Sequence, residues 1–219
     1  MKKIELLAFL IVALGFIIGF YLYPALPDAI PTHWDANGNV NAYSDKSFVF
    51  FLPVLSLVLV LLFVVIPAID PLRKNIEQFR MYYDMFILLF VLFMFYIYLL
   101  TLAWTMGFTF NGSAFNMMQA LSPAIAVLFY YAGVLMGHAK QNWFIGIRTP
   151  WTMSNETVWD KTHKMGGKLF RACGVIALLG IFFPNVAILF ILVPIIAVAV
   201  YTVVYSYQEY QKIKNTNNK

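Results

Sequence analysis

The chain has 219 residues, of which 62% are hydrophobic and only 11% are charged, and its formal net charge is +5. Charged residues make up roughly a quarter of an ordinary soluble domain, so this composition excludes that class and indicates a membrane protein. Cationic loops that face anionic lipid account for the positive charge, which is therefore no evidence for direct nucleic-acid binding.

Six apolar segments predict an all-α, polytopic membrane bundle with six transmembrane helices. Most of them approach the roughly 20 residues that cross the hydrocarbon of a bilayer. The fifth is shorter and reaches a spanning length only if it begins at Gly166, with Lys168 and Arg171 extending to the interface. We expect the first to be a retained helix and not a cleaved signal. The segments are residues 4–23, 48–69, 85–104, 117–136, 172–183 and 186–207.

The cations predict the orientation of these spans, because Lys and Arg concentrate in cytoplasmic loops. With both termini in the cytoplasm, fourteen of the fifteen Lys and Arg residues lie inside and only Lys46 lies outside. The chain is thus predicted to be a multi-pass protein of the cell membrane. Residues 1–105, with an outer loop at 24–47, and residues 106–219, with an inner segment at 138–168, are expected to form one structural unit.

The first outer loop, residues 24–47, carries the clearest functional signal. Its prolines favour extended backbone, and residues 35–38 (Asp-Ala-Asn-Gly) favour a turn, so we expect a hairpin that pairs residues 30–34 with 39–43. The loop is either an interfacial anchor with a turn-forming aspartate or a recognition surface for an external ligand. His33 and Asp35 are too few for a metal site. The candidate recognition residues are Pro31, His33, Trp34, Asp35 and Gly38.

The inner segment, residues 138–168, contains three of the five tryptophans. We expect Ser154 to cap a helix that begins at Asn155 and places Trp159 and His163 on one face. This amphipathic helix would lie at the interface and turn at residues 166–167 into the fifth span. The segment is either an interfacial helix with a tryptophan belt or a docking surface for a cytoplasmic partner. That surface would be centred on Trp143, Arg148, Trp151 and Trp159.

The spans carry no ionisable groups in their interiors, where transporters and membrane enzymes commonly need them. Glu5, Asp70, Asp84 and Arg171 all fall at span ends. We therefore expect no enzymatic activity, no catalytic residues, no metal and no cofactor. A small-molecule or lipid-binding protein, or a transporter with a cavity near the inner segment, remains an alternative. Gly133 and Gly137 form a small-xxx-small pair that is compatible with a homo-oligomer.

Two motifs together suggest a family. The outer sequence LPDAIPTHWDANGNVNAYSDK resembles a small membrane domain of unknown function, and NWFIGIRTPWT, followed by Trp159 and His163, is similar to the carboxyl-terminal motif of the SdpI family. The resemblance implies a six-span immunity and signalling protein. Such a protein senses or neutralises an external peptide toxin and retains a cognate transcriptional repressor at the membrane.

The same resemblance assigns residues to both motifs without giving them individual roles. His33, Trp34, Asp35 and Gly38 belong to the outer motif. The inner motif comprises Asn142, Trp143, Gly146, Arg148, Thr149, Pro150, Trp151, Trp159 and His163.

Overall fold

The computed structural model describes residues 3–110 and 113–217. Helices dominate this part of the chain, as expected for apolar segments whose backbone groups must be satisfied within the segment. The helices are α1 (Lys3–Leu22), α2 (Phe51–Ile69), α3 (Arg73–Gln78), α4 (Arg80–Thr105), α5 (Met117–His138), α6 (Pro150–Ser154), α7 (Glu156–Ala177) and α8 (Ala187–Asn217). Short 3₁₀ turns lie at Tyr23–Ala25, Lys46–Phe50, Leu178–Ile181 and Pro184–Val186.

Within the described residues, five helical segments are long and apolar enough to cross a membrane. Their exposed faces are rich in large apolar side chains such as Leu10, Ile17 and Phe20, as a lipid-facing surface requires. They are Lys3–Ala25, Lys46–Ile69, Arg80–Thr105, Met117–His138 and Pro184–Thr216.

The long helices run between two ends of the bundle. At one, the hairpin end, Asn116 Nδ2 donates a hydrogen bond of 2.6 Å to the carbonyl oxygen of Asn37. At the other, the motif end, Arg80 Nη2 lies 2.7 Å from Glu5 Oε1, and the rings of Tyr82 and His138 stack with their centroids 3.8 Å apart.

A two-stranded antiparallel hairpin follows α1 and confirms the predicted turn. Strands β1 (Ala29–Trp34) and β2 (Val40–Asp45) pair Pro31 with Tyr43 and Trp34 with Val40. Lys46 Nζ closes the base of the hairpin by donating to Asp28 Oδ1 at 3.0 Å. A second, shorter ladder joins β3 (Thr109–Phe110) to β4 (Ser113–Ala114) at the same end of the bundle.

Helix α7 departs from the sequence prediction. It continues through Gly166 and Gly167, so the predicted turn there is wrong. A Cβ atom at Gly167 would lie 2.6 Å from the carbonyl oxygen of Gly133, which means that the glycine serves a close approach of α7 to α5. The cap of α7 is Asn155, whose Oδ1 accepts a bond of 3.1 Å from Val158 N–H, and not Ser154. After α7 the chain reaches the hairpin end, where Gln119 Nε2 donates to the Ile181 carbonyl at 2.6 Å.

Candidate functional site

The turn of the hairpin is built around Asp35. Its Oδ1 accepts hydrogen bonds of 2.9 Å from the N–H groups of both Asn37 and Asn39. The bond from Asn39, with a smaller contribution from Asn37, holds the pKa of Asp35 below its usual value. Gly38 has φ +82° and packs against the side chain of Asn116, so any larger residue here would collide with the tether to α5. Asp35 and Gly38 therefore shape the turn.

The other predicted residues of the hairpin differ in exposure. His33 is exposed, with Nδ1 2.5 Å from Asn41 Oδ1, whereas Pro31 is buried. Trp34 is half-buried and meets the ring of Trp104 edge to face, with ring centroids 6.4 Å apart. Under the hairpin lies a small pocket of about 120 Å³, which Pro31 and Trp34 line together with residues of α2 and α4.

At the motif end, Asn142 organises the loop that precedes α6. This side chain is fully buried; its Nδ2 donates to the carbonyls of Lys140 and Ile145, and its Oδ1 accepts from Phe144 N–H and Ile145 N–H. A buried amide that satisfies four backbone groups fixes the loop in one conformation. Asn142 is therefore a framework residue and faces away from any partner.

His163 locks the same loop onto α7. Its Nε2 accepts a bond of 2.9 Å from Ile147 N–H, and this requires the ring proton to be on Nδ1, which donates to the Trp159 carbonyl at 2.9 Å. The imidazole also stacks on the Trp159 ring at 3.8 Å. Trp159 is itself completely buried, and its Nε1 donates to the Ala139 carbonyl at 2.8 Å. The two residues share a face as predicted, but Trp159 lies too deep to be part of a docking surface.

Gly146, in the same loop, lies against the imidazole of His163. It has φ +115°, a conformation that L-residues with a side chain rarely adopt, and a Cβ atom there would overlap His163 Nε2. The position thus requires glycine for two independent reasons.

A capping box starts α6 and ties it to α8. Thr149 Oγ1 accepts from Thr152 N–H at 3.2 Å, and Thr149 N–H donates to Thr152 Oγ1 at 2.9 Å. The Thr149 hydroxyl also lies 3.0 Å from that of Ser206. Pro150 occupies the first helical turn, where its missing N–H costs nothing. Trp151 packs against Tyr207 of α8 at 5.0 Å between ring centroids.

Among the exposed side chains of this segment, two aromatic residues and one arginine belong to the loop before α6, and we call them the motif rim: Trp143, Phe144 and Arg148. The guanidinium of Arg148 donates to the Trp143 carbonyl, which brings the cation beside the aromatic pair. A surface that combines arginine with exposed aromatic side chains is typical of the centre of a protein interface. Sequence reasoning placed Trp143 and Arg148 in this surface and missed Phe144.

The structure adds Asp70, which the sequence indicated only as the end of a span. Its buried carboxylate accepts from Leu72 N–H at 2.6 Å through Oδ1 and from Trp143 N–H at 2.9 Å through Oδ2. Asp70 thus holds the motif rim against the end of α2.

We expect Asp70→Asn to destabilise the protein by about 1–3 kcal/mol, because one buried N–H would then face an NH₂ group in place of an acceptor. Thermal unfolding of the purified protein and hydrogen exchange at Trp143 measure the effect. The control is Asp160→Asn, since Asp160 is partly exposed and lies 3.6 Å from Lys140 in a pair that we expect to contribute at most about 1 kcal/mol. Equal effects of the two substitutions would contradict the role given to Asp70.

Burial at His163 predicts a dependence of stability on pH. Desolvation, partly opposed by the bond to the Trp159 carbonyl, lowers the pKa of His163 from 6.5 to about 4. Because the folded pKa lies below the unfolded one, the stabilisation is complete above pH 6.5 and is lost as the pH falls towards 4, a total of about 3 kcal/mol. Thermal unfolding at pH 7 and pH 4.5 should show this loss in the wild type and a smaller one in His163→Gln. An equal loss in both would overturn the assignment.

Beneath the loop is a larger cavity of about 330 Å³ between α2, α4, α5 and α7. The loop covers it with residues 144–147, and Phe63, Tyr83, Ala132 and Phe170 line the helical walls. No cluster of three or more His, Cys, Asp or Glu side chains that could hold a metal ion occurs within residues 3–110 and 113–217.

Comparison with known proteins gives matches in both halves of the chain. Residues 138–206 match the model of the SdpI/YfhL protein family, and residues 10–57 match a domain of unknown function, DUF1648. The immunity protein SdpI of Bacillus subtilis (strain 168) is 30% identical over 217 residues, which cover 99% of this chain and 100% of that protein. No solved structure matches.

Proposed function

The chain belongs to the SdpI/YfhL family of membrane proteins, and from that premise we propose that it protects its cell from an external peptide toxin and retains a transcriptional repressor at the membrane. The observation that carries the immunity role is the similarity to an immunity protein over essentially the whole length of both chains. Polar, folded structures at opposite ends of an apolar bundle supply one surface for each partner.

In this proposal the bundle crosses the membrane six times, with the hairpin end outside and both termini inside. One crossing is added to the five long apolar segments: it is the fifth in chain order and consists of residues 166–181, which run beside α5 and reach the hairpin end at Ile181. Twelve α-helical and four 3₁₀ residues span roughly 26 Å, close to the thickness of the hydrocarbon core. Lys168 and Arg171 lie near its inner end, where long cationic side chains extend to the headgroups.

Cysteine accessibility tests the crossings. Cys173 is buried and is the chain's single cysteine, so Cys173→Ser provides a background for single-cysteine variants. We expect a membrane-impermeant maleimide to label Ala36→Cys and Asn185→Cys in intact cells, but Glu156→Cys only after lysis. Labelling of Asn185→Cys only after lysis would contradict the crossing by residues 166–181.

A survival assay tests the immunity role. The chain is expressed in Bacillus subtilis that lacks its own immunity protein, and the cells are exposed to the killing peptide against which that protein acts. We expect survival to approach that of cells with the native immunity protein. Survival no better than with an empty vector, at matched membrane abundance, would contradict the proposal.

Repressor retention is tested at the motif rim. We expect Arg148→Ala to abolish co-purification of a soluble DNA-binding regulator from native membranes and to leave survival unchanged. The matched control is Lys164→Ala, which removes another exposed cation of the same segment. Loss of the regulator with both variants, or with neither, would contradict docking at the rim.

A second candidate function, lipid or small-molecule binding, is favoured by the cavity of about 330 Å³ under residues 144–147. Ala132→Leu would partly fill this cavity, whereas Ala172→Leu adds the same atoms at an exposed position. This function predicts that native mass spectrometry detects a bound lipid or metabolite on the wild type and on Ala172→Leu, but not on Ala132→Leu.

A further inference from the structure

The pocket under the hairpin lies between elements that meet only in the folded protein. One wall is strand β1, and the other is formed by the Lys46–Phe50 turn and the adjoining ends of α2 and α4. Its lining is largely apolar, with a few hydroxyl and indole groups. The lining includes Pro31, Trp34, Leu52, Tyr98, Thr101 and Leu102.

Two side chains that line this pocket each carry a polar group without a hydrogen-bond partner among the residues that the structure describes. These groups are the indole N–H of Trp34 and the hydroxyl of Tyr98, and both atoms are buried. Leaving such a group buried and unpaired costs about 1–3 kcal/mol. An incoming acceptor would recover that cost, and the N–H of Trp34 can only donate.

The buried indole also argues against a simple anchor. An interfacial tryptophan places its ring at the level of the lipid headgroups, with the N–H in a wet, polar layer. In the hairpin, this atom of Trp34 is instead buried, while the side chain lines the apolar pocket and its ring meets that of Trp104. Its position fits recognition of a bound group better than attachment to the bilayer surface.

The volume restricts the occupant. A cavity of about 150 Å³ lined by apolar side chains binds benzene, so a pocket of about 120 Å³ accommodates one branched or aromatic side chain. A full lipid acyl chain requires several times that space. The pocket therefore fits a peptide side chain better than a lipid tail.

We infer that this pocket receives one apolar side chain of the external peptide, while Trp34 Nε1–H donates to a backbone carbonyl next to that side chain. The inference rests on the proposed immunity function and specifies how its outer site recognises the peptide. Pro31 contributes a rigid wall, since its ring fixes φ and its side chain is buried against the helices. Specificity then follows from the shape of the pocket and from a single directed hydrogen bond.

A small probe tests the pocket without the toxin. The full chain in lipid nanodiscs is mixed with a leucine analogue that carries a photo-reactive diazirine and is blocked as its N-acetyl, N-methylamide. This probe has one apolar side chain and two carbonyls, and illumination cross-links it to the residues that it contacts. We expect cross-links to Leu52 or Leu102, competed by N-acetyl-leucine methylamide. Cross-linking that is blocked by added phosphatidylglycerol but not by this competitor would assign the pocket to lipid and overturn the inference.

Matched tryptophan variants test the hydrogen bond. Trp34→Phe should weaken binding of the probe about five- to tenfold, which corresponds to the loss of one hydrogen bond. Trp104→Phe should bind the probe as the wild type does, because the buried N–H of Trp104 also has no partner within residues 3–110 and 113–217, but Trp104 does not line the pocket. Equal weakening by both would contradict donation from Trp34. Thr101→Leu, which adds a bulkier side chain to the pocket wall, should abolish specific cross-linking.

The survival assay separates this inference from the proposed function. If the wild type protects cells and Thr101→Leu does not, at equal abundance and thermal stability, the pocket is required for immunity. If both protect equally, the pocket inference fails and the immunity proposal stands. If the wild type itself gives no protection, the proposed function fails, whatever the probe binds.

Discussion

Gly146→Ala is expected to detach the loop that precedes α6 from α7 and to destabilise the protein by about 3 kcal/mol or more. A side chain at φ +115° is strained by about 1–3 kcal/mol, and its Cβ would displace the imidazole of His163. Ile147 N–H would then lose its acceptor, which adds the cost of an unpaired buried donor. Hydrogen exchange at residues 144–148 should rise, and the motif rim should lose its shape together with repressor capture.

Gly107→Ala is the matched control for this substitution. Gly107 has φ +71°, and no described atom lies within 4 Å of the position of its Cβ. The control therefore includes the backbone strain, about 1–2 kcal/mol, without the collision. Similar unfolding temperatures for the two variants would show that contact with His163 adds nothing and would remove the main argument for a locked loop.

The hairpin shows what local sequence determines. Prolines and an Asp-Ala-Asn-Gly turn are short-range signals, and they predicted both the strands and the turn to within one or two residues. The partner of the hairpin was not predictable in the same way. Asn116, which bonds the Asn37 carbonyl, is 79 residues away, and no local pattern relates the two positions.

In the inner segment, residues 138–168, local sequence determined less and long-range contacts determined more. Its composition indicated a special function, and the aromatic pair Trp159 and His163 was correctly placed on one face. Exposure was not predictable, because a tryptophan in an interfacial helix and one in a packed core look alike in the sequence. Asp70 was missed as a support for this segment since its bond to Trp143 N–H joins positions 73 residues apart.

The break expected at Gly166 and Gly167 failed for a physical reason. Glycine lowers helix propensity by about 1 kcal/mol, but close packing of two helix backbones can more than offset that cost. Here Gly167 lies against Gly133 and Gly137 of α5, so the pair of glycines reports a helix contact and not a turn. Gly133 and Gly137, the small residues of α5 that suggested an oligomer, thus lie against α7 of the same chain.

Gly167→Ala should consequently separate α5 from α7 and destabilise the bundle by about 2–3 kcal/mol. The added Cβ would meet the Gly133 carbonyl at 2.6 Å and the Gly137 N atom at 3.0 Å, and these are backbone atoms that cannot rotate away. Thermal unfolding in nanodiscs measures the cost. Gly137→Ala is the control: it lies on the same pair of helices, but no described atom is within 4 Å of its Cβ position.

The two substitutions should change the free energy of unfolding in opposite directions. Gly137→Ala gains helix propensity and is expected to be neutral or stabilising by up to about 1 kcal/mol, whereas Gly167→Ala loses packing. Because His163 lies one turn before Gly167 on α7, a shift of that helix would also lengthen the bond from Ile147 N–H to His163. Gly167→Ala should therefore impair repressor capture at the motif rim, and a destabilised variant that still captures the regulator would show that the rim folds independently of the α5–α7 contact.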